Sequence, residues 1–324
     1  MNLMLTIGGL ALLLFGGEAL VRGAVGLARR AGISPFIVGL TIIGFGTSAP
    51  EVVVSVDAAL SGSPGIAVGN VIGSNLANIL LIIGAAAIVI PLSVHPEALR
   101  RDGVMMAAAT ILFIGVALTG IAFWYHGAIA IAVLFGYLAF SIWSDSKNTD
   151  ATAQRHSDEG EQLQAGLPDK VWAMLLALAI GLVALVAGSR MTVIGASTIA
   201  REAGISEEVI GITLVAFGTS LPELATALVA AARKQTDVCI GNVIGSNIFN
   251  LLGITGAAAI AAPLPFSSAV VSFDIWVLFV ITALFMWFML TGRRIQRWEG
   301  IVLLILYAAY ISLHFLPAGI LPGA

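Results

Sequence analysis

The sequence predicts an all-α polytopic membrane protein of about ten transmembrane helices, arranged as two inverted five-helix repeats. Three observations predict it: a composition suited to lipid, one internal repeat at a fixed offset, and basic residues gathered in alternate loops. Of the 324 residues, 59% are hydrophobic and only 10% are charged, against about 25% charged in a soluble domain. The mean hydropathy is +1.03. The apolar residues come in continuous runs such as 79–90, 103–122, 171–187 and 301–311. They lack the alternation of a barrel strand, so the spans are helices.

A helix crosses the hydrocarbon in about 20 residues. Breaks at polar clusters give ten segments of that order, near 3–27, 36–60, 66–91, 104–122, 124–143, 171–195, 207–232, 238–262, 272–291 and 299–316. The first run has no positive residue ahead of it and no small-residue cleavage site in a polar stretch, so it reads as a retained span rather than a signal peptide. The single cysteine, Cys239, excludes an intrachain disulfide.

Thirteen of the fifteen basic residues fall in one set of alternate loops: Arg22, Arg29 and Arg30; Arg100 and Arg101; Lys147, Arg155 and Lys170; Arg233 and Lys234; Arg293, Arg294 and Arg297. The other loops hold only Arg201, and Arg190 falls within a span. Positive loops stay in the cytoplasm, which sets both termini outside. The segment 144–170, polar and free of aromatic residues, then reads as a flexible cytoplasmic linker.

Sliding the chain against itself gives one offset, 172 residues. Residues 29–51 match 201–223 at 13 of 23 positions, and residues 69–80 match 241–252 at 9 of 12, with no gap between the two blocks. Asp102 falls on Asp274. The domains expected are therefore a first repeat at 1–143, the linker at 144–170 and a second repeat at 171–324. An odd number of spans per repeat inverts the second copy, and such repeats hold their substrate near the midplane among interrupted helices.

Glu51 and Glu223 lie deep within spans that carry no Lys or Arg at their depth. A carboxylate at the bilayer centre costs about 2.5–3.5 kcal/mol. Either the two are protonated or a cation from solution partners them. Thr47, Ser48 and Glu51 occur at i, i+1 and i+4, and Thr219, Ser220 and Glu223 repeat the pattern, so their oxygens converge on one helix side. Pro50 and Pro222 have no N–H, which frees the carbonyls of Gly46 and Gly218 and predicts a broken helix in each half.

On the following span, Ser74 and Asn78, and again Ser246 and Asn250, add neutral oxygens one turn apart. Asn70, Asn75, Asn242 and Asn247 read first as interhelical hydrogen-bonding residues. Gly69 and Gly73, with Gly241 and Gly245, read as small faces for close helix approach. Glu18 aligns with Arg190 across the repeat as a potential partner, and Asp57, toward the outer end of its span, could line an entry path, but interface solvation is the first reading of both.

The donor set is all oxygen, with no Cys or His in the motifs, which argues against zinc, copper and iron. Calcium accepts six to eight oxygens in irregular geometry. Two carboxylates balance one Ca²⁺ or two Na⁺, and the same oxygens can be filled by either ion in turn. No nucleophile or metal triad accompanies the acids, so an enzyme is not expected, nor is a cofactor. A cation channel is disfavoured because pores usually form about an oligomer axis, whereas these acids belong to the two halves of one chain.

The blocks GFGTSAPE and AFGTSLPE, each followed by GNVIGSN, resemble the two α-repeats of the cation/calcium antiporter superfamily, specifically bacterial sodium/calcium exchangers. The resemblance covers the whole chain. It implies exchange of Na⁺ for Ca²⁺ by alternating access, with proton/calcium exchange as the alternative. The ion ligands it implies are Glu51, Thr47, Ser48, Ser74 and Asn78, with Glu223, Thr219, Ser220, Ser246 and Asn250. Some members carry aspartate where this chain has Asn250, and potassium-dependent members use extra acid near the site; asparagine at both positions argues against potassium co-transport. The expected setting is the bacterial cytoplasmic (inner) membrane, with the bilayer and the two ions as partners, no nucleic acid, and a functional monomer.

Overall fold

The computed structural model describes residues 2–31, 34–96, 99–147, 170–202 and 216–314. The chain is mostly helical. In order it forms α1 (Asn2–Ala31), α2 (Phe36–Thr47) and α3 (Ala49–Leu60), α4 (Pro64–Val89), α5 (Val104–Ala117), α6 (Trp124–Lys147) and α7 (Val171–Glu202). Then come a single helical turn α8 (Ala216–Thr219), α9 (Leu221–Ala232), α10 (Thr236–Ala261), α11 (Val270–Leu290) and α12 (Arg297–His314). Six of these, α1, α4, α6, α7, α10 and α11, are long and apolar enough to cross a membrane, and α2 with α3 makes a seventh if counted as one broken span. The linker from 148 to 169, and 203–215 of the second repeat block, lie outside the described residues.

The contacts divide the chain into two compact units that cut across the sequence halves. One comprises Met1–Thr47 and Phe140–Asn242, the other Ser48–Ala139 and Val243–Ala324.

In the first unit, α1 and α7 run antiparallel and pack along their whole length. Glycines at seven-residue intervals make this possible: Gly9, Gly16 and Gly23 on α1, and Gly181, Gly188 and Gly195 on α7. A Cβ at Gly16 would lie 2.8 Å from Leu185 N, and one at Gly181 would lie 2.7 Å from Leu20 N. The two backbones therefore touch where any side chain would hold them apart, as in small-residue seams between membrane helices. The two glycine sets are related by the 172-residue offset. α9 lies against α1, where Gly17 faces the Ala225 carbonyl and Val229. The start of α10 is pressed onto α2: a Cβ at Gly39 would meet Val238 O at 2.7 Å, and one at Gly241 would meet Phe36 O at 2.5 Å.

In the second unit, α4 lies at the centre. In α4 and α10, 78% and 83% of the apolar window is buried, against 28% in α6, which marks the first two as core helices and α6 as a peripheral one. α4 packs along α12 through Gly84 and Gly300, and α10 meets α6 through Gly256 and Gly127. Short antiparallel strands clasp the ends. β1 (Leu92–Ser93) pairs with β4 (Arg294–Ile295), and β2 (Ile121–Ala122) pairs with β3 (Leu264–Pro265), so each clasp takes one strand from each sequence half. The aligned aspartates have equivalent partners: Tyr137 donates to Asp102 Oδ1 at 2.6 Å, and Tyr310 donates to Asp274 Oδ1 at 3.1 Å.

Candidate functional site

Each repeat block breaks its helix between the Thr and the acid. Ser48 ends one helix and begins the next with φ −84° and ψ 5°, and Ser220 does the same with φ −88° and ψ 2°. The prolines follow at the second position of the new helices, where a missing N–H costs nothing because the first amides of a helix have no internal acceptor. The acid then stands in the first turn of the new helix: Glu51 of α3 and Glu223 of α9. A helix N-terminus carries about half a positive charge, so the break that the prolines allow puts each acid at the end of a helix where acidic residues are accommodated. Neither Ser48 nor Ser220 spends its side chain on capping.

In the second unit, Ser48 and Glu51 are buried at 0% and 1% exposure. Their helix α3 packs against α4 and α10, which carry Ser74, Asn78, Ser246 and Asn250, all buried. Asn78 Nδ2 donates to Asn247 Oδ1 at 3.1 Å, and Asn247 Nδ2 in turn reaches Met106 Sδ at 3.7 Å. Those bonds fix the amide of Asn78 so that its Oδ1 is left over, buried and without a hydrogen-bond partner among the described residues; Asn250 Oδ1 is in the same condition. Each asparagine lies in a stretch of π-helix, Ala77–Ile83 and Phe249–Ile254. Such wide turns recur at functional sites. Ser74 donates to Asn70 Oδ1 at 3.5 Å, and Asn70 Nδ2 donates onward to Ser55 Oγ at 2.9 Å and Glu51 O at 3.3 Å.

The first unit holds Thr47, Thr219, Ser220 and Glu223. Thr47 is buried and donates its hydroxyl hydrogen to Ile43 O at 3.0 Å, which keeps lone pairs on Oγ1 for another group. Ser220 and Glu223 are buried, and Thr219 is half-buried.

Several expectations need correction. The Gly218 carbonyl, expected free beside Pro222, accepts a hydrogen bond from Ser189 Oγ on α7. The aligned position on α1 is Gly17, so the first half has no such hydroxyl. Glu18 does not pair with Arg190; it binds Arg22 one turn along α1 and Arg233 at the end of α9. Gly69 and Gly73 meet nothing among the described residues, whereas Gly241 does make the expected close approach. Of the four motif asparagines given an interhelical role, Asn70 and Asn247 fulfil it. Asn75 bonds within its own helix, to Val71 O, and Asn242 bonds to nothing described. Asp57 is exposed.

Two buried acids, each opening a new helix in a chain of long apolar helices, suit a membrane transporter, and a family match assigns the chain to a family of exchangers. The family described as "Sodium/calcium exchanger protein" matches residues 1–143 and 173–316, and this chain belongs to that family. It is similar to the sodium/calcium exchanger MaX1 of Methanosarcina acetivorans, 31% identical over 97% of this chain and 98% of the relative. It is also similar to the inner membrane protein YrbG of Escherichia coli, 35% identical over 87% of this chain and 86% of that one. Among solved structures, the sodium-calcium exchanger NCX_Mj soaked with Na⁺ and Ca²⁺ superposes with a TM-score of 0.82 at 32% identity, covering 96% of this chain and 97% of that one.

Proposed function

We propose that the protein exchanges Na⁺ for Ca²⁺ across the bacterial cytoplasmic membrane by alternating access, as a monomer of ten spans in two inverted repeats with both termini outside. The observation that carries this reading is the duplicated helix break, which puts Glu51 and Glu223 each in the first turn of a new helix, buried within a family of exchangers. Two carboxylates supply two negative charges, which neutralise one Ca²⁺ or two Na⁺ at nearly the same electrostatic cost, so the ions compete rather than bind together. The remaining ligands are Thr47, Ser48, Ser74 and Asn78 from the first repeat, with Thr219, Ser220, Ser246 and Asn250 from the second. The Oδ1 atoms of Asn78 and Asn250, buried and unmet among the described residues, support them as ligands, because a cation satisfies such an oxygen without needing a donor hydrogen. The equivalent clasps β1–β4 and β2–β3 and the equivalent Asp–Tyr pairs support the inverted repeat.

The test is calcium uptake into proteoliposomes driven by an outward sodium gradient. Wild-type protein takes up calcium, and Glu51→Gln and Glu223→Gln each abolish uptake while the protein remains folded. Uptake undiminished when choline replaces sodium removes sodium from the mechanism and leaves proton/calcium exchange. Wild-type uptake that persists in either glutamine variant refutes the paired-acid site.

A further inference from the structure

The two halves use the same asparagine differently. Asn70 is satisfied: its Nδ2 reaches Ser55 Oγ and the Glu51 carbonyl, tying α4 to α3 at the acid itself. Its counterpart at the 172-residue offset is Asn242 on α10, 0% exposed, with neither Oδ1 nor Nδ2 hydrogen-bonded among the described residues. A fully buried primary amide with no partner is costly, and native proteins keep few of them without a reason. The acceptors that Asn70 uses have their own counterparts. The Glu223 carbonyl matches that of Glu51, but Ala227 stands where Ser55 would be.

We propose that Asn70 and Asn242 are alternating braces, each holding the acid-bearing helix of its own repeat in one of the two facings of the protein. The inference rests on the antiport reading, since inverted repeats exchange local geometry when access alternates. In the facing seen here Asn70 is engaged and Asn242 is not. In the opposite facing Asn70 releases α3, and Asn242 donates to the Glu223 carbonyl and holds α9. Both are positioning residues, acting on the acids through the main chain. Ala227 gives the second brace one acceptor fewer, which biases the resting protein toward the facing with Asn70 engaged.

The experiment is fluorine NMR of the full chain, with a trifluoromethyl thiol reagent on Val53→Cys. That position on α3 is 68% exposed, while the native Cys239 is fully buried and does not compete for the reagent. Two resonances are expected, with the major one belonging to the facing described here. Asn70→Ala, which removes two hydrogen bonds, should raise the minor-to-major ratio more than about fivefold, the yield of one net bond. Asn242→Ala should lower it by about fivefold, the yield of its single bond, and Ala227→Ser should raise it. Shifts of the two asparagine variants in the same direction, an unmoved ratio, or a single resonance in every ion condition overturns the braces. A merely structural role predicts lower thermal stability in both variants with the ratio unmoved. Calcium exchange by the same wild-type protein in vesicles separates the two failures. No exchange overturns the antiport reading, whereas exchange with an unmoved ratio overturns the braces alone.

Discussion

Adjacent glycines on α1 offer a test in which one substitution is the control for the other. A Cβ at Gly9 would lie 2.6 Å from Thr192 N and 2.7 Å from Gly188 O, both backbone atoms of α7. Comfortable contacts are about 3.5 Å or longer, so in Gly9→Ala the two helices must part by about 0.8 Å at that crossing. Overpacking of this kind costs about 1–3 kcal/mol. At Gly8 the same methyl group meets only Met191 Cε at 3.5 Å, an ordinary contact. Gly8→Ala therefore keeps just the gain from removing a mid-helix glycine, about 0.5–1 kcal/mol. Both variants share that gain, so the difference between them isolates the clash, about 1–3 kcal/mol. Reversible unfolding in mixed micelles of mild detergent and dodecyl sulfate measures it, with Gly9→Ala the less stable. Gly188→Ala, whose Cβ would lie 2.8 Å from Gly9 O, should behave like Gly9→Ala, and the double variant should cost less than the sum because the helices are already apart. Equal stability of Gly8→Ala and Gly9→Ala would refute the backbone seam.

Further predictions concern the polar bonds. Asn247→Ala strips Asn78 of its acceptor and leaves a buried donor unmet, at about 1–3 kcal/mol; calorimetric titration should show calcium binding weakened about tenfold, equivalent to 1.4 kcal/mol. Ser189→Ala removes the donor to the Gly218 carbonyl and should lower unfolding stability by about 1 kcal/mol. Glu18→Gln breaks pairs whose side chains are 27–43% exposed, so its cost should stay below about 1 kcal/mol and shrink as salt is added, read from unfolding at two ionic strengths.

The helix breaks, the buried acids and the repeat were legible because each leaves a mark that hydropathy does not hide: a proline, a charge in an apolar run, a motif written twice. The α1–α7 seam was not read, because a glycine inside an apolar run looks to a hydropathy scale like any small residue. Its signal was nevertheless present, as seven-residue spacing reproduced at the 172-residue offset. Ser189 could not be found because its partner is a main-chain carbonyl, which has no sequence identity. The Asn78–Asn247 bond joins residues 169 positions apart, and Glu18 found its guanidinium on a helix that follows it by more than 200 residues. Sequence alignment of the repeats pairs residues that correspond, and correspondence is not contact; Glu18 and Arg190 are the instance.

The β1–β4 clasp has a consequence for how the protein is made. Leu92 pairs with Ile295, so the first strand leaves the ribosome about two hundred residues before its partner exists. A shorter delay, about one hundred residues, holds for the second compact unit, whose opening stretch ends at Ala139 and whose remainder begins only at Val243. The early spans must therefore wait in the bilayer with polar, unpaired backbone near the lipid headgroups until translation has nearly finished. Truncation anywhere before α12 should leave an inserted but unfinished chain, a natural target for membrane quality control.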